Sequence, residues 1–117
     1  MITRKPWTDD MAGKLTHPAG AACMPYLERE VRAGIAKLWH CQDGADEAWI
    51  ISRLDSNPAE LVICYAEGRG LHRFAPEFIA AARAAGVPLR MHTTNEFMVR
   101  LARRWGFQLA EYVLRAA

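Results

Sequence analysis

The residues with the clearest chemical potential are Gly68, Arg69 and Gly70, which follow an apolar run and precede a predicted helix. Glycine lets the backbone approach a ligand closely. The N-terminus of a helix presents free N–H groups and a partial positive charge to whatever lies in the turn before it. Arg69, His72 and Arg73 add cationic side chains. A phosphate group suits this arrangement best, and a plain strand-to-helix turn is the alternative that the same residues allow.

The charge distribution points to the same half of the chain. The formal net charge is +2, but residues 1–68 sum to −3 and residues 69–104 sum to +5. A cationic second half favours an anionic ligand near it. The alternative is that these arginines lie on the exposed faces of two helices. Nucleic-acid binding is less favoured, because the overall charge is small.

The cysteines and histidines do not form a recognisable metal or nucleophile motif. The three cysteines, Cys23, Cys41 and Cys64, are an odd number without paired spacing, which is typical of reduced thiols in a cytosolic protein. No CxxC or HxxxH spacing is present, so no metal site is predicted. Cys64 lies in an apolar run, where thiols are usually unreactive.

The chain length of 117 residues, with 51% hydrophobic residues, fits one compact domain. Residues 1–18 are polar and interrupted by prolines, so we expect an irregular arm or a short edge strand there, with residues 19–117 forming the domain. No apolar run approaches the roughly 20 residues of a membrane span, and the N-terminus lacks the apolar segment of a secretory signal. A cytoplasmic location is therefore expected.

Hydrophobic periodicity and turn residues predict a mixed α/β (α+β) domain whose helices cover both faces of the sheet. The predicted elements in chain order are a helix between Pro25 and Gly34, strands over 35–41, 47–54 and 60–66, a helix from about Pro76 to Ala85, a strand over 88–93, a helix over 95–105 and a strand over 107–114.

Taken together, the element order and a set of spaced residues resemble the GNAT superfamily of acyl-CoA N-acyltransferases. The residues are Gly68-Arg69-Gly70-Leu71 after a strand, then a helix, Gly86, a strand, Asn95 and Gly106-Phe107. In that family a glycine-containing loop holds the coenzyme A pyrophosphate. The pantetheine arm lies between two parallel strands that splay apart, here residues 61–66 and 88–93, and pairs with the exposed strand edge.

The resemblance implies an acyl-CoA co-substrate, with acetyl-CoA the simplest, and an amine acceptor. It places the coenzyme against residues of the third strand, the glycine turn and the last helix: Val62, Cys64, Tyr65, Gly68, Arg69, Gly70, Leu71, His72, Arg73 and Asn95. The acceptor amine must lose a proton, and Glu67 at the end of the third strand is the candidate base. The alternative for Glu67 is a solvated loop carboxylate. His92 is a further polar group in this region, for which a structural role is the alternative to a catalytic one.

Three positions depart from the family pattern. Tyr65 stands where the loop motif has Gln or Arg, His72 stands where it has a small residue, and Ala102 stands where a tyrosine often protonates the leaving thiolate. The chain is also short for the family. The alternative to an N-acyltransferase is therefore a catalytically inactive protein of the same fold with a structural or binding role, similar to small phage-borne members and then virion-associated. A homodimer through the last strand is a further expectation.

Overall fold

A computed structural model describes residues 1–16, 23–91, 100, 102–104, 106–107 and 116. The elements are β1 (Ile2–Lys5), α1 (Met11–Lys14), α2 (Met24–Arg32), β2 (Ala36–Asp43), β3 (Asp46–Ser56), β4 (Ala59–Gly68), α3 (Leu71–Ala85) and β5 (Leu89–Met91). The predicted helix over 95–105 and the predicted strand over 107–114 lie for the most part outside the described residues, as do His92 and Asn95. No helix in the described part of the chain is long and apolar enough to cross a membrane.

The five described strands form one mixed sheet in the order β1-β2-β3-β4-β5. Neighbours from β1 to β4 are antiparallel, and β4 pairs with β5 in parallel. The β2–β3 hairpin turns at Gly44, whose φ of 61° is the left-handed conformation that a tight hairpin turn requires. The mixed sheet predicted from the sequence is confirmed.

The two faces of the sheet carry separate cores because side chains alternate along each strand. On one face, Leu38 and Ile51 pack with α1, α2 and Tyr65. On the other face, Cys41 and Ile50 pack with the aromatic stripe of α3. Helices thus lie on both faces, as predicted.

Strand β4 contains a bulge at Cys64. Ile51 pairs with Tyr65 while Ser52 pairs with Ile63, so one extra residue stands on the β4 side. A bulge bends its strand and increases the local twist. Among the described residues, β5 pairs with Leu61 to Ile63, the three residues of β4 directly before Cys64.

Helix α3 begins five residues before the predicted Pro76, which corrects the predicted boundary. Pro76 lies inside the helix, although proline favours the first turn. Phe74 and Phe78 are buried on either side of it at an i, i+4 spacing, and this packing holds the helix in place despite the missing backbone donor. The segment read from the sequence as a loop over 67–73 is consequently only a two-residue connection.

The N-terminal segment is integrated with the sheet. β1 is an edge strand paired with β2, and Trp7, Met11 and Leu15 are buried in the core on the α2 face. Leu27 of α2 completes this layer, as its predicted amphipathic face requires.

Candidate functional site

The turn between β4 and α3 is the feature on which the site is built. β4 ends at Gly68 and α3 begins at Leu71, with Gly70 at the N-cap in the left-handed conformation at φ 78°. Gly70 has no side chain to cap the helix. The Arg73 N–H donates to the Gly70 oxygen at 2.9 Å, which leaves the N–H groups of Leu71 and His72 to point towards the turn. The structure therefore gives this turn the backbone geometry of an anion-binding helix N-terminus.

Gly68 is required by the packing of β4 against β3. A Cβ atom at this position would lie 2.3 Å from the backbone oxygen of Glu47 and 2.5 Å from Cα of Ala48. The Arg69 N–H donates to the same Glu47 oxygen at 2.8 Å. The sequence suggested that a ligand approaches the backbone closely at this glycine. In the structure, the backbone of β3 makes that close approach.

Gly70 faces a carboxylate of the protein itself. A Cβ atom there would lie 2.4 Å from Cγ and 2.6 Å from Oδ2 of Asp46, the first residue of β3. The same Oδ2 pairs with Nε of Arg73 at 2.5 Å, and Arg73 also lies 3.7 Å from Asp43. An anion of the β2–β3 hairpin therefore already lies at the start of α3.

These contacts correct the charge argument made from the sequence. Arg73 of α3 pairs with Asp46 of the β2–β3 hairpin. Arg90 of β5 pairs with Glu60 at 3.0 Å and with Asp55 at 3.6 Å. The sum of +5 over residues 69–104 counted these arginines as available. The fold places carboxylates of the first half beside them, so the local field near the turn is weaker than the segment charge indicates.

The predicted coenzyme-binding residues of β4 present mainly their backbone. Val62 and Tyr65 are buried, and Cys64 is half-buried at the bulge. Burial raises the pKa of the Cys64 thiol and raises that of Cys41 to about 11, so both thiols are protonated at neutral pH. Neither thiol is therefore suited to act as a nucleophile.

At the start of α3, Leu71 packs against the core of that face, while His72 is exposed. The His72 imidazole stands where the family motif has a small residue. Its exposed position leaves Asp46 as the side chain in contact range of Gly70.

Glu67 lies on the face of the sheet opposite α3, with both Tyr65 and the N-terminal segment. The Tyr65 hydroxyl donates to Oε2 of Glu67 at 2.5 Å, and the Thr16 backbone N–H donates to the same oxygen at 3.0 Å. Glu67 is thus a half-buried, hydrogen-bonded carboxylate within β4. It is not the solvated loop residue that the sequence allowed as an alternative.

A group around Trp49 adjoins Glu67 and was not singled out from the sequence. Trp49 is the cross-strand partner of Glu67, and the His40 ring stacks on it at 4.2 Å between centroids. His40 Nε2 lies 2.8 Å from Glu47, and the Lys14 ammonium lies 5.6 Å from the centre of the Trp49 ring. Counting the register outward from the Asp-Gly hairpin turn would have paired His40 with Trp49 on one face.

Comparison with known proteins gives a structural match and no sequence match. No family model matches the chain, and no match is found among curated proteins. Among solved structures, the chain is similar to one described as the crystal structure of a probable acetyltransferase, with a TM-score of 0.60 over 100% of this chain and 98% of that chain.

The chain has an acetyltransferase-like fold. The sequence identity to that structure is 12%, so the likeness concerns the fold.

Proposed function

We propose that this protein is an acyl-CoA-dependent N-acyltransferase of the GNAT superfamily, which transfers an acetyl group to an amine. One observation carries the proposal. Strand β4, which pairs in parallel with β5 over Leu61–Ile63, bulges at Cys64 and leads directly into a left-handed Gly70 and a helix N-terminus without a side-chain cap. The acetyltransferase-like fold supports the same class of reaction.

The coenzyme would occupy both parts of this feature. The backbone of β4 from Cys64 to Gly68 provides N–H and C=O groups for the amides of the pantetheine arm. The first turn of α3 and the exposed Arg69 would bind the pyrophosphate. Asp46 must move away from Gly70 for the phosphates to enter. Asn95, which the resemblance also assigns to the coenzyme, lies outside the described residues.

The reaction would proceed by direct attack of the amine on the thioester carbonyl. The acceptor, bound as an ammonium, first loses one proton to Glu67 directly or through water, and the neutral nitrogen then forms a bond to the carbonyl carbon. The carbon–sulfur bond breaks to release coenzyme A as its thiolate, and the nitrogen loses its second proton to water. Ala102 carries no proton donor, so the leaving thiolate would take its proton from another group or from water.

The acceptor amine would approach over Trp49, which lies beside Glu67 on the face opposite α3. An aromatic ring flanked by carboxylates attracts an ammonium group. The Lys14 ammonium lies over this ring and would have to move aside for the acceptor. The proposal therefore favours a cationic amine as acceptor.

A second function is favoured by the position of Asp46. A carboxylate paired with Arg73 at the start of α3 places a negative charge at the helix N-terminus without a ligand. If this arrangement is permanent, the protein keeps the fold as a structural or binding component and does not use the coenzyme. Ala102 is consistent with this alternative as well.

Titration with acetyl-CoA, followed by calorimetry and by melting temperature, separates the two functions. An enzyme should bind the coenzyme and gain stability by mass action. Gly70→Glu should abolish binding, because it adds bulk and negative charge at the turn. The control Gly86→Glu changes the left-handed glycine at the other end of α3, where an added Cβ meets nothing within 4 Å, and should leave binding intact.

Release of coenzyme A with a panel of amines then measures turnover. Binding with turnover supports the enzyme, and binding without turnover for any amine supports an inactive relative. Absence of any binding at millimolar acetyl-CoA would exclude the enzymatic function.

A further inference from the structure

A cavity lies at the opposite end of the sheet from the glycine turn. It has a volume of about 590 Å³ and is bounded by the end of β1, the C-terminal turn of α2 and the start of β2. β2 runs from this cavity at Ala36 to the hairpin beside Gly70 at Asp43, a distance of roughly 20 Å at the rise of an extended strand. The cavity is therefore separate from the proposed coenzyme site.

The walls of the cavity combine apolar and polar surface in about equal parts. Its apolar lining includes Val31, which is half-buried. It also includes three residues of the buried core: Trp7, Ala36 and Leu38. A volume of this size is in the range of small-molecule sites. The apolar part of the lining favours the apolar body of a ligand.

One buried polar group on this lining has no partner among the described residues. Trp7 is 6% exposed, and its indole Nε1 is buried without a hydrogen-bond acceptor. A buried N–H without a partner is unfavourable, and such groups in native proteins usually have one. An acceptor atom of a ligand would satisfy it.

The remaining lining residues make the cavity cationic. Arg4, Lys5 and Arg32 all border it. Arg32 is bound to Asp9 at 2.9 Å. No ion pair within the described ranges engages Arg4 or Lys5, and both residues are exposed. The positive charge at this end is consequently available to a ligand.

We propose that this cavity binds a small amphipathic organic anion, a carboxylate on a short aliphatic or aromatic body. The apolar body lies against Pro6, Trp7 and Val31, and the carboxylate lies beside Lys5 and the Trp7 indole N–H, with Arg4 at the rim. A carboxylate oxygen accepts hydrogen bonds from both kinds of donor. The site is independent of acyl transfer, so it stands or falls separately from the proposed function.

The test uses hexanoate as the probe and the tryptophan indole signals in a ¹⁵N–¹H NMR spectrum as the readout. Hexanoate should shift the Trp7 indole signal saturably at millimolar concentration. The Trp39 indole, which already donates to Ser52 Oγ at 2.9 Å, should not move. Hexanamide, a neutral molecule of nearly the same shape, should bind at least fivefold more weakly, about the effect of one charge-assisted contact.

The double variant Arg4→Gln/Lys5→Gln should weaken hexanoate binding by a similar factor. Both side chains are exposed, so the fold is retained. The control Arg29→Gln removes an exposed arginine of α2 that stacks on Tyr26 and does not line the cavity, and it should leave the affinity unchanged. A Trp7 signal that does not respond to hexanoate overturns the proposal. So does equal affinity for hexanoate and hexanamide, or for the double variant and the unmodified protein.

Discussion

Replacing Gly70 with alanine tests whether the Asp46 carboxylate lies over the turn. An alanine at φ 78° is strained by about 1–2 kcal/mol, as at any left-handed position. Its Cβ would in addition meet Cγ of Asp46 at 2.4 Å and displace the carboxylate. Displacement breaks the Arg73 ion pair, whose arginine is half exposed, and removes a favourable charge from the helix N-terminus, together about 1 kcal/mol. The expected destabilisation is about 2–3 kcal/mol.

Gly86→Ala is the matched control. Gly86 has a φ of 71°, and an added Cβ meets nothing within 4 Å, so only the strain of about 1–2 kcal/mol applies. Urea unfolding should therefore show Gly70→Ala to be less stable than Gly86→Ala by about 1 kcal/mol, equivalent to roughly 4 °C in melting temperature for a chain of this size.

The double variant Asp46→Ala/Gly70→Ala completes the cycle. Once the carboxylate is gone, Gly70→Ala should destabilise only as much as the control, giving a coupling of about 1 kcal/mol between the two positions. Equal destabilisation by Gly70→Ala with and without Asp46 would refute the placement of this side chain. If the coenzyme binds at the turn, Asp46→Asn should also tighten acetyl-CoA binding, because it removes a negative charge from the phosphate site.

Three further measurements examine other contacts. Glu67→Gln should lower the turnover of the proposed reaction by about 10²–10⁴-fold and remove its base-dependent pH limb, whereas Tyr65→Phe, which deletes a donor and keeps the carboxylate, should lower it far less. Since the pKa of Cys41 is about 11 in the folded state against 9.0 ordinarily, the unfolded state loses this proton first. Stability should fall by about 2–3 kcal/mol between pH 9 and 11, and urea titrations of Cys41→Ala should show a shallower decline. Arg53→Leu should lower the unfolding free energy by about 2 kcal/mol, since its guanidinium bonds Glu30 of α2 at 3.0 Å; an unchanged urea midpoint would contradict that role.

The local sequence determined the elements and most of the sheet. The Asp43-Gly44 pair is a hairpin turn signal that predicted the β2–β3 connection, alternating residues predicted β2, and apolar runs predicted β3 and β4. These signals are reliable because turn residues and strand periodicity act over a few neighbouring positions. Gly68 and Gly70 were likewise recognised as a turn before a helix.

The tertiary structure alone decided how the site is occupied. The start of α3 was misplaced because Pro76 signals a first helical turn, while the burial of Phe74 and Phe78 against the sheet overrides that signal. The anionic ligand expected near Arg73 is replaced by Asp46, which is distant in sequence and adjacent only through the hairpin.

Glu67 and Trp49 likewise show which features local sequence predicts and which depend on the tertiary structure. Each is an ordinary residue in its own segment, and only the antiparallel register of β3 and β4 makes them neighbours. Charge and hydrogen-bond partners depend on distances in space, which the sequence specifies through the whole fold and not through local patterns. The sequence therefore determined the glycine turn before α3, and the packing of the hairpin decided which carboxylate lies beside it.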